Sequence, residues 1–339
     1  MARYAMRRTL FAIPTLVGIS FIIFLILDLA PGDPTSALPL TISAEVRDAI
    51  RESLGFNDPM MIQWLKWMRL MFINEPLHYL GQIFDFCVGN CDGRPRIISW
   101  SSRAPAMETI VQRLPQTLWV LGLATVFGAL LAIPVGVISA YRQYSVFDNV
   151  GTFFTMVGFS VPTFFTGLVA IVIFSLWLGW FPSFYRTTHV VDWTSWSSIW
   201  FQIKQMIMPV TVLTFFNAAA LSRFTRSAML DSLSEDYIRT ARAKGAKEST
   251  VVLKHAMRNS LIPVVTLLAL QIPGIFAGAI ITEQIFRING IGQLLIVAIG
   301  QGDVPMVQTL TFIFAFMIVF FNVIADLLYG VLDPRVRYD

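Results

Sequence analysis

Long apolar runs separated by short polar breaks dominate the chain. Six of them can cross a bilayer as helices: Thr9 to Leu29, Thr117 to Ala140, Val150 to Leu178, Ile207 to Leu221, Ser260 to Ile281 and Met306 to Ile324. The fourth is short by itself, and the pattern predicts that its helix continues past Arg223 into the polar segment beyond. No charged residue occurs between Asp148 and Arg186, and Pro162 is a candidate kink within the third run. The first run follows Arg3, Arg7 and Arg8 as a signal peptide would, but it is long enough to span. It ends in Pro31-Gly32-Asp33-Pro34 and not in a small-residue cleavage site, so a retained first span is expected. An even number of spans puts both termini on one side.

Two polar stretches interrupt this pattern. Residues 35–116 carry amphipathic segments at Ser43 to Leu54 and Pro59 to Phe72, the second with Trp64 and Trp67; such helices lie at a membrane interface or cap a small extramembrane lobe. The other stretch, Ser234 to Pro263, is basic. Ser234 is placed to N-cap a short helix, Glu235 and Asp236 favour its positive end, and Gly245 supplies a stop. Ser234, Ile238, Ala241 and Gly245 share a narrow face of mostly small residues that permits close approach to a partner, while Arg239, Arg242 and Lys244 project around it. A second amphipathic stretch from Lys247 to Arg258 puts Leu253, Ala256 and Met257 on one side. A docking device and a basic loop resting on anionic lipid headgroups both fit these features.

Composition makes a water-soluble domain untenable: 55% of residues are hydrophobic and only 14% charged. The net charge of +4 would suggest nucleic acid in a soluble chain, but here the positive-inside bias explains it, and no nucleic-acid partner is expected. The basic residues of the N-terminus, the Ser234 to Pro263 stretch and the C-terminus fall on one side of the six spans, which predicts a multi-pass membrane protein with cytoplasmic termini. Cys87 and Cys91 bracket Gly89 at a spacing that closes a local disulfide in an oxidising compartment; two free thiols are the alternative, and a metal site would need two more ligands. No metal site is expected. Gly128, Ala132, Gly136 and Ala140 form a small-residue stripe every four positions, which favours internal helix packing over a second subunit. Asp28 and Asp326 lie at span ends, and the deeper polar residues include Asn217 and Gln271, candidates for the substrate path that serve equally for hydrogen bonding between helices. The absence of HExxH, GxSxG and GxxxxGK[ST] patterns predicts no enzyme activity and no cofactor on this chain; any ATP-driven role needs a separate protein.

Arg239 to Gly245 (RTARAKG), continued by His255 to Thr266 (HAMRNSLIPVVT), resembles the EAA-type loop of permease subunits of the peptide/nickel family of binding-protein-dependent ABC importers. The resemblance extends over the chain through APGDP at Ala30 to Pro34, GIGQL at Gly290 to Leu294, DVPMVQ at Asp303 to Gln308 and DLLYGVLDPRVR at Asp326 to Arg337. It implies an all-α polytopic protein of a bacterial inner membrane, with six transmembrane helices and a type I (MetI-like) importer core. The expected division is 1–34 for the N-terminus and first span, 35–116 for an extracytoplasmic lobe, and 117–339 for the core, with a coupling loop at 231–259. Implied partners are a second homologous permease, two ATPase subunits holding ATP and Mg, an extracytoplasmic substrate-binding protein, membrane lipid, and a peptide or small-solute substrate. The coupling residues implied are Ser234, Tyr237, Ile238, Arg239, Ala241, Arg242 and Gly245, with Tyr237, Ala241 and Gly245 against the ATPase. Three departures stand out: Arg239-Thr240-Ala241 occupies the Glu-Ala-Ala positions, Asn289 stands where a proline commonly precedes Gly-Ile-Gly, and a GDLG-x-S stretch in the first outer loop is missing. An ion-coupled secondary carrier and a non-transporting membrane scaffold are the competing readings.

Overall fold

The computed structural model describes residues 2–29, 43–53, 58–84, 94–186, 188–189 and 191–332. Cys87 and Cys91 lie outside them. The described residues are helical apart from loops and an isolated bridge between Ile98 and Pro105. In chain order the helices are α1 (Ala2–Asp28), α2 (Ala44–Ser53), α3 (Met60–Arg69), α4 (Glu75–Phe84), α5 (Ala106–Tyr141), α6 (Val146–Ser160), α7 (Thr163–Ala170), α8 (Trp196–Ser234), α9 (Asp236–Ala243), α10 (Glu248–Thr250), α11 (Met257–Phe286), α12 (Ile291–Gly300) and α13 (Val304–Leu332). Three π-helical stretches, Leu70–Asn74, Ile171–Trp177 and Val251–Ala256, join or extend these helices.

All six apolar runs are helical. The fourth extends well past Arg223, as expected, to Ser234. The third is broken and not merely kinked: Pro162 cannot donate to the helix, the backbone turns extended at Val161, and α6 and the α7 segment are bent by 104°. Two expectations need correction. The stretch Lys247 to Arg258 is not a separate helix, because α10 runs through the π-helical Val251–Ala256 directly into α11. The wider π turn rotates the face, so that Val251, Val252 and Ala256 are buried while Leu253 is exposed. The chain also forms α12 after the fifth span, where no element was expected.

Two compact units can be distinguished. One comprises Met1–Thr9, Gln116–Gly292 and Ile318–Asp339, the other Leu10–Pro115 and Gln293–Met317. In the first unit α8 is the central element. The small-residue stripe of α5 packs on it: a Cβ on Gly136 would stand 2.7 Å from the Ser222 carbonyl oxygen and 2.7 Å from the Thr225 Cβ. One on Gly128 would come within 3.1 Å of the Asn217 Cβ. The stripe is therefore an internal interface, and Asn217 sits at it. Gln271 lies on α11 at a position whose side chain is outside the described residues. At the chain ends of this unit Asp326 pairs with Arg8 at 3.3 Å, so the carboxylate at the end of the last span is compensated.

In the second unit α3 packs on α1 and α13 through aromatic edges: Trp64 meets Phe21 at 5.4 Å between ring centroids, and Trp67 meets Phe312 at 5.3 Å. Glu75, fully buried, accepts from the Arg96 guanidinium at 2.9 Å and from the Ile97 N–H at 3.4 Å. Asp303 precedes α13 and accepts from the hydroxyls of Ser99 and Ser101 and from the backbone N–H groups of Trp100, Ser101 and Met306. Burial pushes the Asp303 carboxyl up, but these donors outweigh it and hold the group below the ordinary carboxylate value. A depressed folded pKa gives stability that is present above the unfolded value and lost as pH falls through the folded one. The difference in Tm between the wild type and Asp303→Asn should therefore be constant from about pH 7 to pH 5 and shrink below about pH 4. A difference that grows on acidification would contradict this assignment.

Candidate functional site

The basic stretch after α8 forms a short helix held on a platform. α8 ends at Ser234, whose hydroxyl donates back to the Asp231 carbonyl at 2.8 Å. Glu235 is extended and occupies the N-cap position of α9, so Ser234 does not cap it, and the helix is eight residues long. At its other end Gly245 is left-handed (φ +76°), and the Ala246 N–H bonds to the Ala241 carbonyl at 3.2 Å. This glycine-terminated geometry closes the last turn.

The platform consists of Val137 and Ala140 of α5, Met229 of α8, and Val251, Val252 and Ala256 of the π-helical stretch that leads into α11, all packed around Ile238. Ile238 is fully buried, with Ala241 and Ala246 against the same cluster. Of the small face, Ile238 and Ala241 therefore pack on the chain's own core, while Ser234 and Gly245 are exposed. What faces outward is Tyr237, Arg239, Thr240, Arg242, Ala243, Lys244 and Gly245. Polar bonds fasten the edges. The Ser232 hydroxyl lies 2.5 Å from the Tyr237 hydroxyl and donates to the Ala256 carbonyl at 3.0 Å. Arg242 reaches Glu248 at 2.7 Å, and the Glu248 carboxylate beside it raises the Arg242 guanidinium above its ordinary value.

Sequence reasoning missed two buried carboxylates of this unit, Asp148 on α6 and Glu283 at the far end of α11. Asp148, in the first turn of α6, accepts from Nε and one terminal nitrogen of Arg226 on α8, each at 2.8 Å, and from the Tyr144 N–H at 2.9 Å. It ties the α5–α6 turn to the same α8 that carries α9. Glu283 lies near the end of α11, almost wholly buried, and accepts from the Thr117 hydroxyl of α5 at 2.6 Å. That hydroxyl in turn accepts from the Ile291 N–H at 2.9 Å. The chain passes close over the carboxylate: a Cβ on Gly290 would lie 2.3 Å from Glu283 Oε1, and one on Gly292 2.8 Å from the Ile280 Cα. The two glycines of Gly290-Ile291-Gly292 are therefore spatial requirements. Ser234, Tyr237, Ile238, Arg239, Ala241, Arg242 and Gly245 come together in one place; Asn217 stands apart on the α5–α8 interface.

Against known families, the model described as "Binding-protein-dependent transport system inner membrane component" matches residues 132–338, and its N-terminal companion, "Binding-prot-dependent transport system membrane comp, N-term", matches residues 1–121. The chain belongs to this family. It is a multi-pass inner-membrane permease subunit of the ABC importer class, and neither an ion-coupled carrier nor a scaffold is favoured. It is 40% identical over 339 residues to the oligopeptide transport system permease protein AppB of Bacillus subtilis, with 100% of both chains covered. The dipeptide transport system permease protein DppB of Alkalihalophilus pseudofirmus is 35% identical and the glutathione transport system permease protein GsiC of Salmonella choleraesuis 33%, each likewise over 100% of both chains. A crystal structure described as "an amino acid ABC transporter with histidines" aligns with a TM-score of 0.51 at 13% identity, covering 66% of this permease and 94% of that chain. At that identity it supports the helical fold alone.

Proposed function

We propose that this permease forms half of the translocation pathway of an importer for peptides or a related small solute, and that α9 is the seat for a separate ATPase subunit. The observation that carries the coupling assignment is the two-sidedness of α9: Ile238 is locked into a cluster drawn from α5, α8 and α11, while Arg239, Thr240 and Lys244 are exposed. A push on the outer face is then delivered to three membrane helices at once through packed side chains. The peptide assignment is supported by relatives whose names specify oligopeptides, dipeptides and glutathione. ATP and Mg belong to the two ATPase subunits in this scheme. A second permease completes the path, a binding protein delivers cargo to the opposite face, and both termini share the side of α9.

The test is charge reversal on the outer face alone. Arg239→Glu with Lys244→Glu, in the importer reconstituted with all its subunits, should lower ATP-driven peptide uptake at least tenfold while membrane insertion and thermal stability stay unchanged. Uptake and substrate-stimulated hydrolysis at wild-type rates would remove α9 as the coupling element.

A further inference from the structure

The helix α3 and its continuation hold an unassigned surface. The inward side of this segment carries Trp64, Trp67 and Met68, while large apolar residues also stand on its outward side: Met61, Leu65, Ile73, Leu80 and Ile83 are between 41% and 71% exposed. A lobe standing in water would bury or replace such a side.

Its contacts fix its level along the two spans it touches. On α1 the partners are Ser20 and Phe21: the Trp64 indole N–H lies 3.3 Å from the Ser20 oxygen, and the Ser20 hydroxyl lies 3.4 Å from the Met68 sulfur. On α13 the partner is Phe312, touched by both Trp67 and Phe72. Ser20 is eight residues before the end of α1 at Asp28, and Phe312 eight residues after the start of α13 at Val304, so each contact lies about 12 Å in from the helix end. The apolar spans Met6–Asp28 and Val304–Leu327 are 23 and 24 residues long, only about 5 Å longer than a hydrocarbon layer of about 30 Å. The contact level therefore falls within the hydrocarbon. Residues 64 to 72 cover about 12 Å of helix yet meet each span at a single level, so the segment crosses the spans and does not run along them.

We infer that α3 and the turns following it are immersed in the bilayer leaflet at the Asp28 end of α1, with the outward apolar side covered by lipid acyl chains. α1 and α13 expose apolar residues on either side of this level: Ile22, about 9 Å from the Asp28 end, is 55% exposed and Phe316, about 18 Å from the Val304 end, 41%. Two cations border this side: Lys66, paired with Asp58, and Arg69, exposed at the end of α3 between Leu65 and Ile73; both have stems long enough to carry their charge from the leaflet to the headgroup level.

Nitroxide labels test this in the assembled importer in phosphatidylcholine/phosphatidylglycerol nanodiscs, with Cys87 and Cys91 replaced by serine. Labels at Leu65→Cys, Ile73→Cys and Ile83→Cys are compared with one at Ile22→Cys for collision with oxygen, which partitions into lipid, and with a water-soluble nickel chelate. The expected result is oxygen accessibility several-fold above that of the chelate at Leu65 and Ile73, matching Ile22. Chelate-dominated collision at these sites would place the segment in water and overturn the inference. Suppression of both reagents would overturn it in favour of a covering protein subunit. Three separate exposed positions keep the result readable should one label disturb folding.

Discussion

Asp148→Ala is expected to destabilise the permease by about 3–5 kcal/mol, because it leaves the Arg226 guanidinium partly buried without its partner. The Asp148 side chain is 3% exposed and that of Arg226 27%. The cost arises from an orphaned charge more than from the lost attraction, so removing both charges should be far milder than removing one. Asp148→Ala combined with Arg226→Met should recover most of the loss. Thermal unfolding of the detergent-purified protein followed by fluorescence-detected size exclusion reads this out. Equal destabilisation by the single and double variants would mean that the α5–α6 turn is not held by this pair. The measurement matters for function because α8 carries both Arg226 and, one helix later, the seat of α9.

The second large effect is expected at Ile238. Truncation to alanine opens a cavity in the cluster that anchors α9, at a cost of about 2–5 kcal/mol, whereas Ile238→Val should cost about 0.5–1.5 kcal/mol. An eight-residue helix has little stability of its own, so the loss appears first as local opening. Amide exchange across Asp236 to Ala243 should accelerate more than tenfold in the alanine variant and only slightly in the valine variant. Uptake should fall in the same order even though the outer face keeps every residue. Preserved exchange protection in Ile238→Ala would show that the polar bonds at Ser232 and Arg242 suffice. This pattern also separates anchoring from contact: the Arg239 and Lys244 reversal changes what the partner meets, while Ile238 changes how firmly it is held.

The positions of the spans were legible because hydropathy over about 20 residues is a strong signal. The α9 helix was legible for the same kind of reason, with acidic residues at its start and a glycine at its end. Which way its small face turns was not. Periodicity at Ile238 and Ala241 defines a face, but nothing in it distinguishes a partner's surface from the chain's own α5 and α11. The π turn at Val251–Ala256 defeated pattern reading differently: an inserted residue shifts the helical phase, so Leu253 was grouped with the residues opposite to it. Glu283 escaped because the fifth apolar run was ended at Ile281, two residues short, and Ile291 to Gly300 is too short an apolar stretch to assign by period. A useful signal was present: a lone acid followed by Gly290-Ile291-Gly292, whose glycines allow the backbone to pass over it.

The break at Pro162 has a geometric consequence for the third span. α6 is 15 residues long and α7 with its π-helical continuation is equally long, so each arm measures about 22 Å. Laid straight, they would reach about 45 Å, well beyond a hydrocarbon layer of about 30 Å. With the arms bent by 104°, the ends stand only about 27 Å apart, and the corner is displaced sideways by about 17 Å. Such a V is a lever: changing its bend by about 10° alters the distance between its ends by about 3 Å, so a small rotation at Pro162 becomes a displacement of about two helical residues across the bilayer.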